Sequence, residues 1–205
     1  MKKQVQNLLL AIAAGAAIGL GVLVYCSCEN KIAGAVLFSF GLISVFLFGL
    51  NLYTGKVGYA RKVIDFANLG IMVIGNGIGV GVAAFNAKPA YIETAQNLVN
   101  TKLTLFLENP WSFFGVSFLC GAIIYLCTAA YKEKGLWQTA LIGVPLFILA
   151  GTEHSIADIG FIWASRSFRP EYILMILLVV LGNALGAILC NAVFKFARQQ
   201  SITQK

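Results

Sequence analysis

The sequence predicts an all-α membrane protein with six transmembrane helices, arranged as two inverted three-helix repeats in which helices 2 and 5 are broken. Three observations support this fold class: six apolar runs of membrane-spanning length, polar interruptions within two of them, and short motifs that recur in both halves. Of the 205 residues, 59% are hydrophobic and 11% are charged. This composition excludes an ordinary soluble domain.

The six runs set the number of membrane crossings. A helix needs about 20 mostly apolar residues to span a bilayer. The alternating segments of about 10 residues that a transmembrane β-barrel requires do not occur in these runs. We place the six candidate spans at 7–26, 33–53, 66–85, 112–131, 137–162 (interrupted) and 172–195.

The net charge of +7 is a signal of topology rather than of nucleic-acid binding. With the N-terminus inside, ten basic residues fall on the inner side and five on the outer side, which predicts that both termini are cytoplasmic and that the protein lies in the inner membrane. The inner set is Lys2, Lys3, Lys56, Arg61, Lys62, Lys132, Lys134, Lys195, Arg198 and Lys205; the outer set is Lys31, Lys88, Lys102, Arg166 and Arg169.

A polar stretch separates the two halves of the chain. Its apolar residues Ile92, Ala95, Leu98 and Val99 have helical spacing, which predicts an amphipathic helix at the outer surface. We therefore expect one channel-like transmembrane domain over 1–205, with repeat one at about 7–85, the amphipathic linker at about 86–109 and repeat two at about 110–197.

The fifth span is interrupted where its apolar run ends. Glu153, His154 and Asp158 follow Gly151 within a few residues, at what should be membrane depth. Ionisable groups there cost a few kcal/mol or more, and they are retained where they face a cavity or a partner. The sequence therefore places the functional centre at His154, the only histidine.

The second span has its own interruption. Gly41 and Gly49 lie inside it, together with Ser39, Ser44 and Asn51. Glycine weakens a helix interior by about 1 kcal/mol, and irregular backbone in a membrane is tolerated only where it is buried or lines a water-filled cavity. We predict a broken helix here; a continuous helix with packing glycines is the alternative.

The two halves carry matching motifs in corresponding spans. Three spans per half require the halves to insert in opposite orientations, which predicts an inverted repeat, a layout common where a solute binds or passes. The matching pairs are Gly49-Leu50-Asn51-Leu52 with Gly151-Thr152-Glu153-His154, and Gly75-Asn76-x-x-Gly79 with Gly182-Asn183-x-x-Gly186.

These residues resemble the formate/nitrite transporter family, pentameric channels for small monovalent anions. The resemblance covers nearly the whole chain, and the Glu-His-Ser stretch is its most specific element. The motifs are Phe38-Ser39-Phe40-Gly41-Leu42 and Gly49-Leu50-Asn51-Leu52-Tyr53-Thr54 in span two, Phe147-Ile148-Leu149-Ala150-Gly151-Thr152-Glu153-His154-Ser155-Ile156-Ala157-Asp158 in span five, and the two Gly-Asn-x-x-Gly motifs.

The resemblance implies an aquaporin-like fold with one pore per protomer in a homopentamer, and no metal or cofactor. It assigns Phe38, Leu42, Leu52 and Phe147 to apolar constrictions, with Leu42 in the flexible break of span two. It assigns Thr54 and His154 to the polar position between the constrictions. The supporting residues are Asn51, Glu153, Asp158, Asn76 and Asn183; we expect Glu153 to stabilise the broken helix or to hold backbone donors.

Three positions depart from the family pattern. Asn51 replaces an acidic residue, Asp158 replaces an asparagine, and Val116 stands where the family has a pore-vestibule lysine in span four. No Lys or Arg occurs between Trp111 and Tyr131. The missing cation weakens the expectation of strict anion selectivity.

The leading hypothesis is a channel or transporter for formate, nitrite or hydrosulfide. An anion must replace its hydration on entering the bilayer, and His154 could supply a shared proton because the unperturbed pKa of histidine is about 6.5. The alternative is a channel for small neutral solutes or protonated weak acids. A membrane enzyme using Glu153, His154 and Asp158 lacks a nucleophile and a metal set, and the intact pore residues disfavour a purely structural subunit.

Overall fold

The computed structural model describes residues 2–203, and nearly all of them are helical. The base Lys205 lies outside the described residues. A 3-10 turn, Val57–Tyr59, follows α3. Nine α-helices occur in the described part: α1 Lys2–Ser27, α2 Lys31–Leu47, α3 Tyr53–Lys56, α4 Val63–Ala84, α5 Pro89–Glu108, α6 Pro110–Lys134, α7 Thr139–Leu149, α8 Ser155–Ser165 and α9 Glu171–Thr203.

Four helices among residues 2–203 are long and apolar enough to cross a membrane: α1, α4, α6 and α9. Three shorter apolar helices overlap the sequence-predicted spans: α2 overlaps span two, and α7 and α8 overlap span five. The expectation of an all-helical chain built from apolar helices is confirmed.

The chain leaves helical geometry at two places, between α2 and α3 and between α7 and α8. Gly49 and Gly151 lie in these interruptions with φ of 62° and 66°. This left-handed conformation is nearly free of steric cost only for glycine. After each glycine the chain turns back in the same way, because the amide of Leu50 donates to the carbonyl of Val45 and that of Thr152 to the carbonyl of Phe147, both at 3.0 Å.

Asn76 in α4 fixes the first interruption. Its side-chain oxygen accepts the amide of Tyr53 at 2.9 Å, and its nitrogen donates to the carbonyls of Asn51 at 2.9 Å and Ala11 at 2.7 Å. The amide of Tyr53 and the carbonyl of Asn51, which the interruption would otherwise leave unpaired in the interior, are thereby satisfied, and the bond to Ala11 ties them to α1.

Asn183 in α9 makes the corresponding contacts in the second half. Its side-chain oxygen accepts the amide of Ser155 at 2.9 Å, and its nitrogen donates to the carbonyls of Glu153 and Ser117, both at 2.8 Å. Both asparagines are fully buried. Each therefore ties one interruption to the neighbouring long helices.

The long helices pack in two closely spaced pairs, α1 with α4 and α6 with α9. Gly79 lies against the carbonyl of Ile12 in the first pair, and Gly186 lies against the carbonyl of Phe118 in the second. A side chain at either glycine would overlap that backbone. Small residues of this kind let membrane helices approach closely.

Helix α5, the predicted amphipathic linker, packs mainly on α8. Pro89 begins it, which suits the first turn of a helix because proline lacks an amide proton. Ala95, Val99 and Leu103 are buried at four-residue spacing, so one face of the helix lies against the bundle. That face also brings Lys102 to the interruption between α7 and α8.

Candidate functional site

The two interruptions bring Thr54 and His154 together, although 100 residues separate them in sequence. The Thr54 hydroxyl oxygen lies 3.0 Å from Nε2 of the His154 ring. Both residues are buried, with exposed fractions of 1% and 3%. Thr54 lies in α3 and His154 precedes α8, so this contact joins the segments that follow the two interruptions.

The hydrogen bonds of His154 define its tautomer. His154 is the N-cap of α8, and its Nδ1 accepts the backbone amide of Ala157 at 3.1 Å. Because Nδ1 must present a lone pair to that amide, the proton of a neutral ring is on Nε2. The Nε2–H group then donates to the Thr54 hydroxyl oxygen, and the hydroxyl proton of Thr54 stays available to a solute.

Phe38 and Phe147 form an apolar wall beside this pair. Their rings meet edge to face with centroids 6.3 Å apart, and Phe147 also stacks on His154 at 5.4 Å. Phe38 comes from α2 and Phe147 from α7, so the interrupted spans contact each other here. Both rings also line a cavity of about 560 Å³.

The two predicted leucines lie in different settings. Leu52 is the N-cap of α3, is fully buried, and lines a second cavity of about 60 Å³ near Thr54. Leu42 is 2% exposed, but the prediction that it lies in the break of span two is wrong. Helix α2 continues to Leu47, and the break follows it. The helix persists because Gly41 packs against the backbone of α1 rather than opening a turn.

Lys102 is the cation that sequence reasoning missed. It forms ion pairs with Glu153, at a very short separation, and with Asp158 at 3.0 Å. The side chains of Lys102, Glu153 and Asp158 are 15%, 5% and 2% exposed. The signal was present in the sequence, since Lys102 lies seven residues after Ala95, on the apolar stripe of the amphipathic helix where a charge is unexpected.

The supporting residues divide into backbone anchors and charges. Asn76 and Asn183 anchor the interruptions, and the Asn51 side chain donates to Asn7 of α1 at 2.8 Å. The Glu153 carboxylate pairs with Lys102 rather than with backbone donors, while the Glu153 carbonyl accepts Asn183; that Glu153 stabilises the broken helix stays a prediction. The difference arises because α5 places a cation within reach.

The charges that line the larger cavity balance formally. Lys31 and Lys102 contribute two positive charges, and Glu153 and Asp158 contribute two negative charges. One Asp158 oxygen is buried without a hydrogen-bond partner among the described residues. In the part of the chain that the structure describes, no group of three or more His, Cys, Asp or Glu side chains could hold a metal ion.

Long apolar helices around a buried polar centre are the architecture of a multi-pass membrane protein. The sequence profile described as "Formate/nitrite transporter" matches residues 1–197, and the chain belongs to that family. The prediction that the protein is a transporter rather than an enzyme is confirmed by this membership. No curated protein sequence matches the chain.

Two solved structures share the fold. A "Pentameric formate channel with formate bound" superposes with a TM-score of 0.75 at 19% identity, covering 100% of this chain and 99% of that one. An "FNT family ion channel" superposes with a TM-score of 0.71, also at 19% identity, covering 93% of this chain and 87% of that one. The first match, which covers the whole chain, therefore includes the interruptions and α5.

Proposed function

We propose that the protein is a channel for a small monovalent anion, with formate, nitrite and hydrosulfide as the candidate substrates. The observation that carries this proposal is the buried Thr54–His154 pair, which offers hydrogen-bond donors between apolar side chains. An anion that leaves water needs such donors, because an unpaired charge in an apolar interior is strongly disfavoured.

The solute enters through the larger cavity. Lys31 and Lys102 attract an anion there, while Phe38 and Phe147 narrow the path and exclude bulk water. Apolar constrictions of this kind select small solutes by making them shed hydration. Beyond the rings the anion meets the Thr54 hydroxyl, whose oxygen accepts Nε2–H of His154, and then Leu52.

Lys102 is proposed to supply the cation of the larger cavity that the family carries on span four, where this chain has Val116. Helix α5 supplies the cation instead, and Glu153 and Asp158 hold it at the cavity wall. A buried ion pair is stable when its partners satisfy one another, and removing one partner leaves an uncompensated charge. The aspartate at 158 and the lysine at 102 are therefore proposed to act as a matched pair.

His154 acts as a neutral donor in this proposal. Protonating the ring at Nδ1 would require it to release the amide of Ala157, which also begins α8. The Nε2–H group instead donates to the Thr54 oxygen, so the anion can accept a hydrogen bond from the Thr54 hydroxyl without taking a proton from the ring. Proton sharing with His154 is the second candidate mechanism, and it requires that Nδ1 bond to open during transport.

The architecture proposed for this function is an inverted repeat with two broken membrane spans. The equivalent hydrogen bonds of Asn76 and Asn183 support it, as do the equivalent positive φ angles of Gly49 and Gly151. The pentamer and formate of the similar channel structure support a homopentamer with one pore per protomer. The charge count favours the inner membrane with both termini cytoplasmic.

A channel for neutral solutes or protonated weak acids is the alternative. It is favoured by the formal charge balance of the larger cavity, where two carboxylates offset two lysines. A vestibule without net charge would concentrate anions weakly, and a neutral acid would pass the aromatic rings at lower desolvation cost.

Flux into liposomes containing the purified protein tests the proposal. Formate, nitrite and hydrosulfide would be compared with glycerol and water, using the unmodified protein, Thr54→Val and the exposed control Thr104→Val. We expect the unmodified protein and Thr104→Val to conduct the anions equally well. Thr54→Val should reduce the flux about tenfold, because it removes one hydrogen bond of about 1.4 kcal/mol. Flux of glycerol or water alone would contradict the proposal.

A further inference from the structure

The helical segment that carries Thr54 is short. Helix α3 has four residues, Tyr53–Lys56, and the 3-10 turn Val57–Tyr59 adds three more before the chain becomes extended at Ala60. Such a segment has too few internal hydrogen bonds to fix its own position, because helix formation repays its cost only over many residues. The orientation of the Thr54 hydroxyl therefore depends on the helices against which this segment packs.

Helix α9 contacts the segment at its first residue. Tyr53 is buried, and its hydroxyl donates to the backbone carbonyl of Val180 at 3.0 Å. About one turn further along α9, the side-chain oxygen of Asn183 accepts the amide of Ser155 at 2.9 Å, and Ser155 directly follows His154. One stretch of α9 therefore binds the chain beside both members of the buried pair.

Asn191 of α9 contacts the other end of the segment. It is 6% exposed, its side-chain nitrogen donates to the carbonyl of Gly58, and its side-chain oxygen accepts the Tyr125 hydroxyl at 2.9 Å. A backbone carbonyl can only accept, so these two partners fix the orientation of the amide group. A Cβ atom at Gly58 would lie 2.8 Å from the Tyr125 ring and 3.0 Å from the carbonyl of Ala187. The segment is therefore packed closely against α9 and bonded to it at both ends.

We propose that Asn191 and Tyr53 are positioning residues of the channel, through which α9 places the Thr54 hydroxyl opposite His154. The proposal rests on the anion-channel function and deepens it by naming the side chains that orient the donor. Neither Asn191 nor Tyr53 is among the residues that line the two cavities beside the pair, so they act through Thr54 rather than on the anion. A hydrogen bond weakens steeply when its donor and acceptor separate or misalign. A small shift of the segment therefore lowers the affinity for the anion.

A double-mutant cycle tests the positioning role, with formate flux into liposomes measured at low formate concentration and normalised to folded protein. Asn191→Leu and Tyr53→Phe would each be measured alone and combined with Thr54→Val, and Leu189→Ala, at an exposed position of α9, is the control. We expect each single variant to lower the flux by about threefold to tenfold, the range for one hydrogen bond, and the control to leave it unchanged. Combined with Thr54→Val, neither should lower the flux further, because the hydroxyl that it positions is already absent.

The cycle separates positioning from general stability. A purely structural contribution would lower the flux by the same factor with or without the Thr54 hydroxyl, so an equal second fall in the double variants overturns the proposal. Unchanged flux in both single variants also overturns it. If Asn191→Leu does not fold, Tyr53→Phe decides the test alone, because phenylalanine keeps the ring and the Val180 carbonyl keeps its partner within α9. Absence of formate flux in the unmodified protein overturns the channel function itself.

Discussion

Nε2 of His154 lies 3.0 Å from the hydroxyl oxygen of Thr54, and the opposite ring nitrogen accepts the amide of Ala157. The ring is thus fixed between a helix start and a hydroxyl on the other broken span. With Nδ1 occupied, the ring donates its Nε2 proton to the Thr54 oxygen, and the donor left for a solute is the Thr54 hydroxyl proton. The predictions below follow from this pairing and from the charges around it.

Substitution of His154 distinguishes hydrogen-bond donation from proton transfer. Asn in its place can accept the Ala157 amide with its side-chain oxygen, as asparagine commonly does at an N-cap, and its amide group can donate but does not titrate. We expect His154→Asn to retain formate flux within about tenfold and His154→Ala to lose more. Flux abolished equally in both, with both proteins folded, would favour obligatory proton transfer.

Thr54→Ser should differ sharply from Thr54→Val. Serine keeps the hydroxyl that accepts from His154 and donates to the solute, whereas valine leaves the buried Nε2–H unpaired at a cost of about 1–3 kcal/mol. We expect near-normal half-saturating formate concentration and flux for Thr54→Ser, measured in liposomes. Equal behaviour of the two variants would show that the hydroxyl has no part in conduction.

Lys102 should be coupled to Asp158. Lys102→Met leaves two buried carboxylates without their cation, a change that costs about 3–5 kcal/mol for a buried pair, so we expect a lower thermal midpoint in detergent and reduced formate flux. The double variant Lys102→Met/Asp158→Asn should recover much of the midpoint. Lys88→Met, at the exposed start of α5, is the matched control. Additive effects of the two substitutions would exclude the coupling.

The buried asparagines should be far more sensitive than an exposed one. Asn76→Ala and Asn183→Ala each leave two backbone groups of an interruption without their partner, at about 1–3 kcal/mol per group, and remove the bond to a neighbouring long helix. We expect both variants to lose the peak of folded protein on size-exclusion chromatography. Asn86→Ala removes a single exposed bond of 3.3 Å and should elute normally. Normal elution of both buried variants would refute the anchoring role.

Much of this arrangement could be predicted from the sequence. Periodicity and length located the apolar helices, and repeated Gly-Asn-x-x-Gly motifs singled out Asn76 and Asn183 before their hydrogen bonds were seen. The polar residues at membrane depth indicated His154, since such groups are retained where they meet partners. Each of these signals depends only on residues that are close together in the sequence, so it can be recognised without knowledge of the tertiary structure.

Other features depended on tertiary contacts. The glycines and serines of span two predict a break near Leu42, which is too early in the span. Gly41 packs closely against α1, and the helix around Leu42 is continuous. The sequence places Lys102 among the outer basic residues but does not predict its ion pairs. These pairs depend on the packing of α5 against α8, which the order of elements along the chain does not reveal. The ion pair between Glu153 and Lys102 depends on the same packing of α5 against α8.

The most direct test of the central claim is the current carried by the unmodified protein in a planar bilayer under a formate gradient. If the anion itself passes a neutral His154, the current should reverse near the equilibrium potential of formate and should be reduced in Thr54→Val. Formate flux in liposomes without any such current would contradict the claim, because electroneutral movement would mean that the protonated acid is the species that crosses.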